Sequence, residues 1–141
     1  MKKGYYGIAI YQPKTMANLG MILRSAHNFK ADFIAVIGSR YYKTGSDTTD
    51  ATKHVPTFYY DTLEQFIKSL DKKIQIVRVE VDGNHQLESY VHPKQAVYIL
   101  GGEDRSVPKI EGSTSIKIDT QFCLNLAVSA SIMMYDRNAK K

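Results

Sequence analysis

A chain of 141 residues with 43% hydrophobic and 23% charged side chains has the size and balance of one globular domain and leaves little room for a second core, so a single domain over residues 1–141 with no appended domain is expected. No apolar run approaches the ~20 residues needed to cross a bilayer, and the start Met1-Lys2-Lys3-Gly4-Tyr5-Tyr6 lacks the apolar stretch of a secretion signal, so a soluble, cytoplasmic protein with no membrane partner is expected. The net charge is +5, and a lone Cys123 with four scattered histidines offers neither an internal disulfide nor a metal-ligand spacing, so no metal is expected.

In chain order, Tyr5 to Tyr11 is an apolar run of β propensity closed by Pro13, which predicts a strand. Asn18 is a good N-cap, and Leu19, Ile22, Leu23 and Ala26 follow at helical spacing as a buried stripe. Phe33 to Ile37 is a fully apolar strand ended by Gly38, which completes a βαβ unit. Ser39 to Thr57 then reads as one long irregular stretch, of the length that is usually functional or disordered. Asp61 and Thr62 cap a helix carrying Leu63, Phe66, Ile67 and Leu70, and Ile74 to Val79 is a strand. Ala96 to Leu100 is another, running into Gly101-Gly102, and Ser115 to Ile118 is shorter. The chain closes on a helix from about Leu124 to Tyr135 that is apolar almost all round. Alternation of this kind predicts an α/β fold with a mostly parallel sheet flanked by helices.

The charge is unevenly placed. Residues 1 to 54 contain eight Lys or Arg and three acids, whereas residues 55 to 141 hold eleven of each. The whole excess belongs to the first segment, as a one-sided surface for a polyanion would require, although a basic surface without function has the same composition.

Ligands of open α/β sheets sit beyond the carboxyl ends of the strands, and three segments place unusual polar residues there. In the first, Gly20, Arg24 and His27 fall on one helix face, and Gly20 leaves that face bare beside the guanidinium. In the second, Gly101 and Gly102 let backbone approach a ligand closely, and Glu103 follows them. This turn matches neither GxxxxGK[ST] nor GxGxxG, which disfavours nucleotide hydrolysis and dinucleotide binding. In the third, Asn125 interrupts an apolar segment, where its amide must be hydrogen-bonded, either to loop backbone or to a functional partner.

The order and spacing of these segments resemble the SPOUT superfamily, specifically its SpoU/TrmH-type RNA ribose 2′-O-methyltransferases. The first motif, N-x-G-x-x-x-R-x-A, is matched by Asn18, Gly20, Arg24 and Ala26. The second, an apolar strand followed by G-x-E, is matched by Ile99-Leu100-Gly101-Gly102-Glu103. The third, a strand, a loop and S-L-N-V-S-x-A before a closing helix, is matched in outline by Ile116 to Tyr135. The resemblance spans about Gly7 to Asp136. The chain departs from the pattern at Cys123 and Ala127, where the third motif has serines, at Asp119 in place of proline, and at Asp104-Arg105-Ser106 in place of a Gly-rich tail.

The resemblance implies a C-terminal deep trefoil knot, the cofactor S-adenosylmethionine, and a homodimer formed through the first and last helices. It implies cofactor contacts from Val79, Leu100, Gly101, Gly102, Ile118, Cys123 and Leu124. It implies a catalytic group of Arg24, Asn18, Asn125 and Glu103, with Glu103 able to pair with Arg24. RNA, either tRNA or rRNA, would then dock on the basic segment through Arg40, Tyr41, Lys43, Lys53 and His54, cations for phosphates and rings for unstacked bases. Two other readings stay open: a knotted RNA-binding protein whose methyltransferase site has decayed, and a small-molecule α/β enzyme or nucleotide sensor unrelated to RNA.

Overall fold

The computed structural model describes residues 4–40, 54–121 and 123–140. Seven parallel strands form one sheet: β1 (Tyr5–Tyr11), β2 (Phe33–Ile37), β3 (Thr57–Tyr60), β4 (Gln75–Val79), β5 (His85–Gln86), β6 (Gln95–Gly101) and β7 (Thr114–Lys117), in the order β3-β2-β1-β6-β4-β7-β5. Among the described residues three α-helices accompany it, α1 (Met16–Asn28), α2 (Leu63–Ser69) and α3 (Leu126–Ala139), with a single 3-10 turn at Leu87–Ser89.

Parallel strands are buried on both faces, so their side chains divide between two cores. On one face Ile8, Ile10, Val36, Tyr98 and Leu100 pack against Leu19, Ile22 and Leu23 of α1 and Met133 and Met134 of α3. On the other, Ala9, Ala35, Ile37, Val97 and Ile99 pack against Phe66 of α2 and Val107. The α2 start is the one expected: Thr62 is the N-cap, and its hydroxyl accepts from the Gln65 amide at 3.2 Å.

The structure moves several expected boundaries. The N-cap of α1 is Thr15, not Asn18; Asn18 lies inside the first turn and is buried. The last helix starts two residues later than expected, behind the N-cap Asn125, and continues to Ala139. Its final turn is polar, and it turns Arg137 inward to donate to the carbonyls of Pro93 and Lys94 and to the Tyr98 hydroxyl. The irregular stretch ends in strand β3, which pairs with β2 from Thr57 onward, and β5 is a further strand with no expectation behind it. Both lie at sheet edges, where short strands need no fully apolar run.

Consecutive β1, β2 and β3 run outward in one direction, while β6 is inserted between β1 and β4. The chain thus changes direction next to β1, and the loops after β1, β4, β6 and β7 open on the same edge. That is where a doubly wound sheet presents a crevice.

Candidate active site

A cleft of about 810 Å³ opens beyond the carboxyl ends of β4, β6 and β7. Its floor is the end of the sheet, where Val79 is in register with both Leu100 and Ile116. Val79, Leu100, Gly101 and Gly102 line one side, and Ile118, Cys123 and Leu124 line the other. All seven residues expected at a cofactor are therefore brought into one cavity.

The glycine pair is required sterically. A β-carbon on Gly102 would run into the Gln12 carbonyl and stand 2.7 Å from the Pro13 α-carbon, and one on Gly101 would run into the Arg105 carbonyl. The Gly102 amide donates to the Tyr11 carbonyl at 2.6 Å, which fastens the turn to the end of β1. Asp104, which follows, takes a left-handed φ of 62°.

Glu103 and Asn125 also line the cleft, and each is tied to α1. The Glu103 carboxylate accepts from the Lys14 amide at 3.2 Å and from the Thr15 hydroxyl at 3.0 Å. Thr15 therefore turns its hydroxyl away from the helix it caps, and Glu103 supplies the negative charge at the positive end of α1. Burial alone would raise the Glu103 carboxyl. Hydrogen bonds from its own and the Lys14 backbone amides and from the Thr15 and Asn18 side chains outweigh that, and hold it below the ordinary carboxylate range.

Asn125 caps α3, its Oδ1 accepting from the Ala127 and Val128 amides at 2.9 and 3.2 Å. Its Nδ2 donates to Asn18 Oδ1 at 3.1 Å. Asn125 thus satisfies the backbone at the start of α3 and also makes a long-range contact. Asn18 thus joins the first and third segments, and the Glu103 carboxylate fastens the second to the start of α1.

Arg24 does not join them. It is exposed, does not line the cleft, and among the described residues its guanidinium has no hydrogen-bond or ion-pair partner, so the expected pairing with Glu103 does not form. Gly20, one turn earlier, has nothing within 4 Å of where a β-carbon would stand, so the helix face beside Arg24 is open.

Of the residues expected to meet RNA, Tyr41, Lys43 and Lys53 lie outside the described residues. Arg40 is exposed, yet its guanidinium already donates from Nε to the Gln12 carbonyl at 2.8 Å and from Nη2 to the Glu103 carbonyl at 2.5 Å. It clamps the ends of β1 and β6 and leaves only its remaining N–H groups for a phosphate. His54 stacks flat on His27, ring centroids 4.3 Å apart and planes 6° apart, on the helix that carries Arg24.

Two features escaped the sequence reading. Glu80 lines the cleft just past the end of β4, and the readable signal was an acid placed directly after an apolar strand. The cleft is also acidic in a basic chain: Glu80, Glu103, Asp104 and Asp119 line it against Arg105 and Lys117. Among the described residues no group of His, Cys, Asp and Glu is arranged to hold a metal ion, and no helix is long and apolar enough to cross a membrane.

Residues 6–135 match the model of the SpoU rRNA Methylase family. Among solved structures, one described with the 2-OH methylation of C/U34 on tRNA superposes with a TM-score of 0.85 at 19% identity, covering 96% of this chain and 95% of that one. An AdoMet-bound rRNA methyltransferase from Sinorhizobium meliloti gives 0.83 at 23% identity, covering 98% of this chain and 57% of that one. The SpoU methyltransferase AviRb from Streptomyces viridochromogenes, in complex with AdoMet, gives 0.85 at 15% identity over 99% of this chain and 61% of its own. The chain thus spans less than two thirds of the latter two. No curated protein matches it.

Proposed function

The chain belongs to the SpoU rRNA Methylase family of RNA methyltransferases, and from that premise we propose that it transfers a methyl group from S-adenosylmethionine to a ribose 2′-hydroxyl of tRNA or rRNA. The observation that carries this reading is the cleft. Its volume of about 810 Å³ falls in the range of small-molecule sites, and its four carboxylates against two cations suit a ligand that is itself a cation. The glycine turn brings backbone rather than side chain to its wall. Val79, Leu100, Gly101, Gly102, Ile118, Cys123 and Leu124 would hold the cofactor there, which when bound supplies an electrophilic methyl carbon.

When bound, the cofactor would offer its methyl carbon to the ribose 2′-oxygen, whose proton must pass to solvent or a neighbouring phosphate. Positioning and stabilisation of the developing alkoxide are what the protein must add. A guanidinium has no lone pair free to take a proton and is a poor base, so Arg24 serves as a hydrogen-bond donor to the 2′-oxygen while solvent or a phosphate takes the proton. Asn18, Asn125 and Glu103 hold the start of α1 and the start of α3 against the cleft mouth.

Since Arg24 does not line the cleft of its own chain, it meets the methyl donor of a second copy. A homodimer through α1 and α3 answers this, and exposed Met21, Val128, Ile132 and Tyr135 on those helices provide the apolar surface it would bury. The C-terminal segment would also be knotted: β7 lies beyond β6 and β4 from β1, yet the helix after it returns to pack on α1 through the Ser25–Ser131 hydroxyl contact of 2.8 Å. Stretching single chains from both ends tests this, because a knot leaves the extended chain shorter than its contour length.

The test of function is incubation with methyl-labelled cofactor and total RNA, followed by nuclease mapping. Label in a 2′-O-methyl nucleotide of tRNA or rRNA is the expected result. Label on a base overturns the ribose assignment, and absence of both label and cofactor binding favours the RNA-binding protein with a decayed site.

A further inference from the structure

Glu80 stands at the carboxyl end of β4, and its backbone amide donates to the Ile116 carbonyl at 2.9 Å, so the β4–β7 ladder extends to this residue and holds it rigidly at the cleft wall. Its side chain is only 11% exposed. Oε1 accepts from the Val107 amide at 3.1 Å and lies 4.0 Å from Arg78 Nη1, while Arg78 Nε donates to the Ser113 hydroxyl at 3.0 Å. Among the described residues Oε2 takes no hydrogen bond. A nearly buried carboxylate with an oxygen lacking a donor is costly unless a ligand supplies one, and Glu80 lines the cavity proposed to hold the cofactor. Burial pushes the Glu80 carboxyl above its ordinary value despite the Val107 amide and Arg78, as a group awaiting a donor would show.

Of the groups an adenosyl cofactor presents, the sulfonium has no hydrogen to donate. The ammonium has, but the Arg78 guanidinium beside the same carboxylate opposes a second cation. The ribose diol and the adenine amine are neutral and each offers two donors, and of these an acid at the end of a parallel strand is a recurrent partner for the ribose hydroxyls in α/β sheets. Resting on the methyltransferase reading above, we propose that Glu80 is the acceptor for the ribose hydroxyls of the cofactor, a binding residue outside the three motifs that identify the family.

The test is binding, by calorimetry, of S-adenosylhomocysteine, 5′-methylthioadenosine and the 2′- and 3′-deoxy forms of the latter to wild type and Glu80→Gln. Melting temperatures accompany it, and Glu80→Asp serves as a second variant that keeps the charge but shortens its reach. The expected result is a loss of about ten- to a hundredfold for E80Q with both hydroxylated ligands, and no further loss when the hydroxyl that Glu80 accepts from is removed. A loss with S-adenosylhomocysteine but not with 5′-methylthioadenosine would assign the carboxylate to the ammonium and overturn the proposal. Equal losses across all four ligands would reduce Glu80 to a fastener of the Val107 loop and overturn it too. If wild type binds none of them, the cofactor reading itself fails and the proposal falls with it.

Discussion

The side-chain amide of Asn125 donates to Asn18 across 3.1 Å, joining residues 107 apart in sequence. One is buried in the first turn of α1 and the other caps α3. Because the Glu103 carboxylate accepts from Lys14 and Thr15 just ahead of α1, the starts of both helices and the β6 turn are tied together.

Two substitutions at Asn125 separate its roles. Asn125→Ala removes the cap and the Asn18 contact together, and is expected to cost about 1–2 kcal/mol in chemical denaturation. Asn125→Asp keeps an acceptor for the two backbone amides but cannot donate to Asn18, so stability is largely retained while methyl transfer falls. Equal activity in Asn125→Asp and wild type would show that the contact is dispensable.

Arg24→Ala should abolish turnover with little change in melting temperature, since among the described residues the exposed guanidinium holds nothing. If Arg24 serves the cleft of a second copy, mixing Arg24→Ala with Cys123→Trp, whose ring fills the cleft from an exposed position, restores activity. Random pairing makes about half the dimers mixed, each with one complete site, so about a quarter of wild-type activity is expected. No recovery on mixing, with both variants dimeric by light scattering, would place Arg24 at its own cleft.

Cys123 is exposed and lines the cleft, which makes it a reporter. Its alkylation by a maleimide, followed by mass spectrometry, should slow at least several-fold when S-adenosylhomocysteine is added. An unchanged rate would locate the cofactor elsewhere.

Far from the cleft, Tyr98 is fully buried and its hydroxyl accepts from Arg137 Nη1 at 2.9 Å and meets His92 Nδ1 at 2.6 Å, while His92 Nε2 lies 2.7 Å from Asp136. Burial pushes the His92 imidazole down, with Lys140 and Arg137 adding to it, against the pull of Asp136. The fold therefore favours neutral His92, whose Nδ1 accepts from Tyr98 and whose Nε2–H donates to Asp136. In the unfolded chain the ring titrates near ~6.5. Stability from this group is complete above that value and is lost as pH falls from there through the lower folded-state pKa. Melting temperatures between pH 7.5 and 5 should decline in wild type. They should decline less in His92→Gln, which also costs about 1–3 kcal/mol at neutral pH through the broken chain of hydrogen bonds. Parallel slopes would remove His92 as the source.

Elements with a dense apolar run were legible from the residues alone: β1, β2, β4, β6 and the stripe of α1 carry the side chains that both cores bury. Strand β3 was not, because Phe58 and Tyr59 are half exposed at an edge and look like loop residues. The start of α1 was misplaced for a different reason. Asn18 has the chemistry of a cap, but its side chain instead accepts from Asn125, and local preference yields where tertiary hydrogen bonds are available.

The same division holds for function. The residue sequence by itself determined the alternating α/β order, the basic first segment and the three polar motifs, because period, charge and spacing are local properties of a chain. Only the tertiary structure decided that the second and third motifs share one cleft, that this cleft is acidic in a basic protein, that Glu80 faces into it and that Arg24 does not. Those facts depend on inserting β6 between β1 and β4 and folding the last helix back onto the first, a choice made by burying both faces of the sheet at once and not written in any single stretch of residues.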